Sequence, residues 1–125
     1  MKKRKCKRFT IPGSTLHYKT KGFFPFKKSF PEEYYPVLDI SKGGASFLTD
    51  QRIKPGSNLV IKLTIPELSS SFEILCKTKW IAKNREESYR YKMGIAFNTY
   101  GESRNQNKPE ILELFNRLEE NFTEM

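Results

Sequence analysis

The sequence predicts an all-β dominated fold of six antiparallel strands followed by one carboxyl-terminal helix. Three observations support this prediction. Short segments between residues 9 and 97 carry mainly apolar side chains at every second position, which is the pattern of half-buried strands. Turn-forming segments with Pro-Gly, Ser or Asn separate them, whereas residues 108–123 change to a helical spacing. Closely spaced strands with short connections favour an antiparallel barrel or sandwich over a parallel α/β fold.

The strand candidates follow one another in six segments. The first runs from Phe9 to Ile11 and continues through residues 16–19, and the next two cover residues 35–40 and 45–49. Residues 59–65 and 89–97 alternate most clearly and are the fourth and sixth candidates. The fifth has a stripe formed by Phe72, Ile74, Cys76, Thr78 and Trp80.

The carboxyl end is predicted to be helical over residues 108–123. Pro109 suits a first helical turn, because its fixed φ angle matches the helix and its missing N–H is not needed there. An apolar stripe with helical spacing follows, made of Ile111, Leu114, Phe115, Leu118 and Phe122. One amphipathic helix is therefore expected to close the chain.

Length and composition predict one domain over residues 1–125, divided into a flexible arm (1–8), a β-barrel (9–99) and the helix (108–123). The chain has no apolar run approaching the roughly 18 to 20 residues of a membrane span. Its basic start is followed by Phe9-Thr10-Ile11-Pro12-Gly13 rather than by a signal-peptide apolar region. We therefore expect a cytoplasmic location.

Residue types exclude several kinds of chemistry. The two cysteines, Cys6 and Cys76, are far apart and indicate neither a disulfide framework nor a zinc site. With a single histidine, His17, the chain lacks the parts for Ser-His or Cys-His nucleophilic catalysis. We therefore expect no enzyme activity, no metal and no cofactor.

Positive charge is concentrated at the amino end. The formal net charge is +9, and residues 1–28 contain ten Lys or Arg and no Asp or Glu. Such a segment attracts nucleotides, nucleic acid or an anionic membrane surface, and charge alone does not choose among them.

An aromatic segment between Gly22 and Pro36 mixes phenylalanines and tyrosines with lysines and prolines. Two roles are open for it. Its rings can plug one end of a barrel, or they can form an exposed patch where another protein docks.

Two short segments resemble the halves of one site for a guanine nucleotide that carries phosphodiester charge. Arg4 and Arg8 supply guanidinium groups, which bind phosphate oxygens or a guanine edge with two hydrogen bonds. Asp39 supplies a carboxylate for the N1–H and N2–H edge of guanine, and Gly43-Gly44 allow a tight turn. Alternatively, Asp39 and Ser41 only end a strand by bonding to their own backbone.

With both motifs in this order, the chain resembles the PilZ domain, a bacterial receptor module for the second messenger cyclic di-GMP. The family signature is Arg-x-x-x-Arg before the first strand and Asp/Asn-x-Ser-x-x-Gly between the second and third strands. Residues 79–81 and 91–97 are also similar to the closing strands of the family. The resemblance implies a six-stranded split β-barrel with a carboxyl-terminal helix, whose ligand lies on the outer surface under the amino-terminal loop.

The resemblance also implies roles for individual residues. Arg4 and Arg8 would pair with phosphate or stack on a purine, and the Gly43-Gly44 backbone would allow close approach of the ligand. Asp39 would hold the donor edge of a guanine, and Ser41 would donate to a phosphate or sugar oxygen. Lys3 is a possible secondary contact that influences whether one ligand or a stacked pair is bound.

The sequence thus predicts a cyclic di-GMP receptor that changes conformation and signals to an unidentified protein effector. Nucleic acid is not the expected partner. Two alternatives stay open: a small β-barrel that binds nucleic acid through its basic arm and surface aromatic residues, and a PilZ-like interaction module that binds no ligand.

Overall fold

The computed structural model describes residues 8–20, 30–66, 68, 71–85 and 88–122. These residues form mainly strands and one helix, as predicted. In chain order the elements are β1 (Thr15–Thr20), β2 (Tyr35–Ser41), β3 (Gly44–Thr49), β4 (Asn58–Thr64), β5 (Phe72–Lys83), β6 (Tyr91–Phe97) and α1 (Pro109–Phe122).

The six strands form a closed barrel in the order β1-β2-β3-β6-β5-β4. All neighbouring strands are antiparallel. This confirms the predicted fold class and decides between the two architectures that the alternation left open, because a sandwich would consist of two separate sheets.

The barrel interior is a packed apolar core. Each strand contributes at least one side chain with 0% exposure, namely Leu16, Ile40, Phe47, Ile61, Ile74 and Met93. Small barrels of this kind fill their interior with side chains, so a ligand has to bind on the outer surface.

Helix α1 packs its apolar face against the barrel. Phe115 is fully buried, and its ring lies 5.4 Å from that of Phe97 and 5.8 Å from that of Phe72, measured between centroids. Leu118 is also buried, while Ile111 and Leu114 contact the core from partly buried positions. This agrees with the predicted stripe, apart from the Phe122 side chain, which lies outside the described part. No helix in the described ranges has the length and apolar character needed to span a membrane.

The first strand is shorter than predicted. It begins at Thr15, and Phe9 forms only an isolated antiparallel bridge with Ile40. The interruption is the turn at residues 12–13, where Gly13 has a φ angle of 84° and Ser14 N–H donates to the Ile11 carbonyl at 3.2 Å. Glycine is favoured at such a left-handed position, so the Pro-Gly pair separates the two apolar segments.

The stripe predicted for β5 is wrong at its last member. Thr78 faces the interior, but the pairing with β6 shifts register between Thr78 and Trp80. Lys79 is therefore the extra residue of a β-bulge, which moves the alternation by one position. As a result Ile81 packs against the core instead, and Trp80 is half-buried on the outer surface.

The aromatic segment is partly described, since residues 21–29 lie outside the described ranges. At its end, Tyr35 is 9% exposed and joins the core, whereas Tyr34 is 62% exposed. The Phe30 ring lies 4.5 Å from Lys19 Nζ. In the described part of this segment, Tyr35 thus belongs to the interior and Tyr34 to the surface. The single-domain assignment of residues 1–125 stays a prediction.

Candidate functional site

The hairpin between β2 and β3 carries the second predicted motif. Asp39 and Ser41 lie at the end of β2, Lys42 and Gly43 form the turn, and Gly44 begins β3. Ser41 pairs with Gly44 across the hairpin. The motif therefore brings a carboxylate and a hydroxyl to one corner of the barrel.

A row of paired residues runs from this corner across the outer surface, from β2 through β3 and β6 to β5. The strand registers place Asp39 opposite Ser46, Ser46 opposite Gly94, and Gly94 opposite Trp80. Their neighbours Ala45 and Phe47 are buried in the core, so alternation assigns this row to the outer face. Two small residues thus separate the carboxylate from the indole.

A second row runs parallel to the first. It pairs Ser41 with Gly44, Gly44 with Ala96, and Ala96 with Lys77. Small residues again occupy its centre. Together, Gly44, Ser46, Gly94 and Ala96 form what we call the floor, an area of small side chains on the outer wall. It is bordered by Asp39 and Ser41 on β2 and by Lys77 and Trp80 on β5.

A cavity of about 310 Å³ opens on the floor. Its lining joins the first and second predicted motifs with residues of β5 and β6, and consists of Arg8, Ser41, Gly43, Gly44, Ala45, Lys79, Trp80, Gly94, Ile95 and Ala96. A larger cavity of about 830 Å³, lined by β4, β5 and residues 97–106, contains none of the predicted site residues. We therefore place the candidate site on the floor, where residues of both predicted motifs line one cavity, rather than in the larger cavity.

Arg8 reaches the hairpin because the residue after it is tied to β2. Phe9 and Ile40 exchange two backbone hydrogen bonds of 2.9 Å in an antiparallel bridge, which places Arg8 opposite Ser41 and diagonal to Asp39. Arg8 Nη1 lies 3.3 Å from Asp39 Oδ1, and the two side chains are 36% and 31% exposed. Ion pairs this exposed contribute little to stability, so a ligand can displace this one at small cost.

Ser41 is bonded within its own turn. Its Oγ accepts from Gly43 N–H at 3.1 Å and donates to the Gly44 carbonyl over a longer 3.4 Å. The alternative of a simple strand-ending turn therefore describes part of what Ser41 does. The Asp39 carboxylate, in contrast, contacts Arg8 from another segment of the chain.

The two glycines of the motif have different roles. Among the described residues, a positive φ angle occurs only at Gly13 and Gly56, so the turn at Gly43 does not need a left-handed backbone. A Cβ on Gly44 would overlap the carbonyl oxygen of Ile95 on β6. Gly44 is therefore required by the close approach of two strands.

Trp80 and Lys79 were not predicted as site residues. The bulge at Lys79 turns both side chains outward, and a Cβ on Gly94 would overlap the Trp80 indole, which shows that the ring covers Gly94. The sequence signal that could have found them is the adjacency of Lys79 and the single tryptophan of the chain within a predicted strand.

Two predicted contacts, Arg4 and Lys3, lie outside the described residues and stay predictions. Over the described ranges, no cluster of three or more His, Cys, Asp or Glu side chains is arranged to hold a metal ion.

The family model of the PilZ domain matches residues 2–110 of this chain. The chain belongs to the PilZ domain family. A search of curated protein sequences found no significant match.

Solved structures share the fold of this PilZ protein. The PilZ domain of YcgR from Escherichia coli with c-di-GMP has a TM-score of 0.67 at 15% identity, covering 98% of this chain and 92% of that one. The Bacillus subtilis inhibitor of motility MotI/DgrA has a TM-score of 0.64 at 16% identity, covering 94% of this chain and 50% of that one. The K. pneumonia MrkH–c-di-GMP complex has a TM-score of 0.63 at 14% identity, covering 94% and 51%. Our chain thus spans about half the length of the latter two.

Proposed function

We propose that this PilZ protein is a cytoplasmic, non-enzymatic receptor that binds cyclic di-GMP on the floor and signals to a protein effector. The observation that supports the proposal best is the convergence of Arg8, Asp39 and Ser41 beside one cavity. Family membership supports the same ligand, as do the c-di-GMP complexes of YcgR and MrkH.

Binding begins with an exchange of partners at the ion pair. The Asp39 carboxylate accepts hydrogen bonds from N1–H and N2–H of a guanine, and this releases Arg8. The freed guanidinium then pairs with a phosphate or stacks on a purine, because its planar, permanent charge suits both contacts. The ligand replaces one exposed ion pair with several charge-assisted bonds.

The opposite border of the floor supplies a stacking surface. Trp80 presents its indole beside the cavity, and aromatic side chains bind bases through their π faces. The small side chains of the floor leave room for a flat purine. Lys79 adds positive charge next to the ring, which favours a ligand with two phosphates.

The amino-terminal arm completes the site. Arg4 would add a second guanidinium, and Lys3 is a further candidate contact that affects whether one ligand or a stacked pair binds. Because the ligand would contact Arg4 as well as the hairpin, binding would change the surface that a protein effector meets.

Calorimetric titration with cyclic di-GMP, GTP and a short oligonucleotide tests the proposal. We expect saturable binding of cyclic di-GMP, much weaker binding of GTP, and a change in the fluorescence of the single tryptophan. Tighter binding of the oligonucleotide with a steep salt dependence would identify a nucleic-acid-binding barrel instead. Absence of binding to all three would indicate an interaction module.

A further inference from the structure

Tyr100 lies outside both signature motifs yet contacts the motif turn directly. Its hydroxyl donates a hydrogen bond of 2.6 Å to the Lys42 carbonyl, which is 58 residues away in the chain. The Tyr100 ring is partly buried against the core. The hydroxyl is thus held at a fixed place under the hairpin.

The segment that carries Tyr100 is held to the barrel by Asn107. This side chain is 3% exposed, and its Oδ1 accepts from Leu75 N–H at 2.7 Å. Its Nδ2 donates to the carbonyls of Leu75 and Asn98, both at 3.0 Å. The backbones of Tyr100 and Asn107 form a bridge, and Gly101 N–H donates to the Asn107 carbonyl at 2.9 Å. A donor held this firmly loses little entropy when it positions another group.

One planar peptide connects Tyr100 to Ser41. The Lys42 carbonyl that accepts from Tyr100 belongs to the same peptide unit as Gly43 N–H, which donates to Ser41 Oγ at 3.1 Å. In a trans peptide these two groups point in opposite directions, so fixing the carbonyl also fixes the N–H. Ser41 Oγ accepts this bond and uses its own hydrogen only in the long 3.4 Å bond to the Gly44 carbonyl, so a ligand oxygen that offers a shorter bond can take that hydrogen over.

We infer that Tyr100 is a positioning residue for the ligand site, acting through the Lys42–Gly43 peptide on the Ser41 hydroxyl. This inference rests on the proposed function. Tyr100 does not touch the ligand; it sets the direction in which Ser41 donates. Chains of hydrogen bonds polarise one another, so the hydroxyl of Tyr100 also strengthens the bonds beyond it.

The test compares Tyr100→Phe with Tyr18→Phe, which removes a hydroxyl far from the site. Tyr18 Oη bonds to Thr49 Oγ1 at 3.0 Å and to Gln51 Oε1 at 2.5 Å, so its loss costs stability in a similar way. Calorimetry with cyclic di-GMP is expected to show about a three- to tenfold weaker affinity for Tyr100→Phe, the value of one hydrogen bond, and an unchanged affinity for Tyr18→Phe.

A double-mutant cycle separates positioning from a general loss of stability. If Tyr100 acts through Ser41, Tyr100→Phe has little further effect on affinity in a Ser41→Ala background. Equal losses in both backgrounds, or a Tyr100→Phe affinity equal to the parent's, would overturn the inference while leaving the receptor proposal intact. If the parent protein binds no cyclic di-GMP, the proposed function and this inference fail together.

Discussion

The Trp80 indole covers Gly94, the residue directly opposite it on the neighbouring strand. Any side chain at position 94 would have to occupy space that Nε1 and Cε2 of the indole already fill. The glycine therefore determines where the ring lies, and the ring forms one border of the candidate site.

Gly94→Ala should displace the indole and weaken ligand binding. A stacked base contributes about 1–3 kcal/mol, so we expect the affinity for cyclic di-GMP to fall at least about fivefold, and Trp80→Ala to show a similar loss. Since the chain contains one tryptophan, the fluorescence of Gly94→Ala reports the ring movement directly. A shifted emission spectrum with unchanged affinity would show that the indole is not part of the site.

Arg8→Ala should abolish most binding while hardly affecting the fold. A charge-assisted contact is worth about 1.5–3 kcal/mol, which corresponds to about a 10- to 150-fold weaker affinity. The Arg8–Asp39 pair is exposed, so we expect the free energy of unfolding to change by less than about 1 kcal/mol. Calorimetry and urea denaturation measure the two effects.

The matched control for charge is Arg52→Ala, which removes an exposed arginine outside the cavity lining. It should bind cyclic di-GMP like the parent. Asp39→Ala is expected to weaken binding as Arg8→Ala does. Parent-like affinity in either site variant would contradict the assignment of that residue.

Gly44→Ala and Gly43→Ala should differ sharply in stability. A methyl group at position 44 meets the Ile95 carbonyl, which belongs to the backbone of β6 and cannot move alone. We expect a loss of about 1–3 kcal/mol in the free energy of unfolding. Gly43 is exposed and has no positive φ angle, so its change should stay within about 0.5 kcal/mol. Equal denaturation midpoints would refute the close-packing explanation.

Alkaline pH should destabilise the protein through Cys76. Burial raises the pKa of its thiol from the ordinary 9.0 to about 12. The unfolded chain therefore loses this proton above pH 9 while the folded chain keeps it. The contribution of the thiol to the free energy of unfolding is fully present below pH 9 and is lost as the pH rises from 9 to 12. At about pH 10.5 the loss amounts to about 2 kcal/mol.

Urea denaturation of the parent and of Cys76→Ala, each at about pH 8 and about pH 10.5, isolates this contribution. The variant is expected to be less stable at both values, because it leaves a cavity, but to lose about 2 kcal/mol less on going to high pH. Burial also raises the pKa of Tyr18 to about 12, and that effect is common to both proteins. If the parent and Cys76→Ala lost the same free energy of unfolding at high pH, the thiol would not be the source of the loss.

Local patterns were sufficient to predict the strands and the helix. The alternation in residues 59–65 and the helical stripe around Phe115 and Leu118 both describe faces that the structure buries. Asp39, Ser41 and Gly44 were recognisable because the motif lies within one hairpin. The Phe9–Ile40 bridge brings Arg8 to the same hairpin.

Long-range relationships could not be predicted in this way. The bulge at Lys79 inserts one residue without any local marker, so alternation assigned Trp80 to the interior when it lies outside. Tyr100 meets Lys42 only because β6 pairs with β3 and the chain then turns back under the hairpin. Such contacts depend on which strands pair with each other, and the periodicity of a single sequence does not reveal that pairing.

Side chains fill the interior of the barrel, so the proposed site on the outer wall is separate from the core that stabilises the fold. A ligand bound there would add nothing to the core, so the barrel would fold before binding and keep its fold after release. With cyclic di-GMP bound, the wall would present flat purines in place of a hydrated, charged surface. An effector that docks there would contact protein and nucleotide together, as one binding surface.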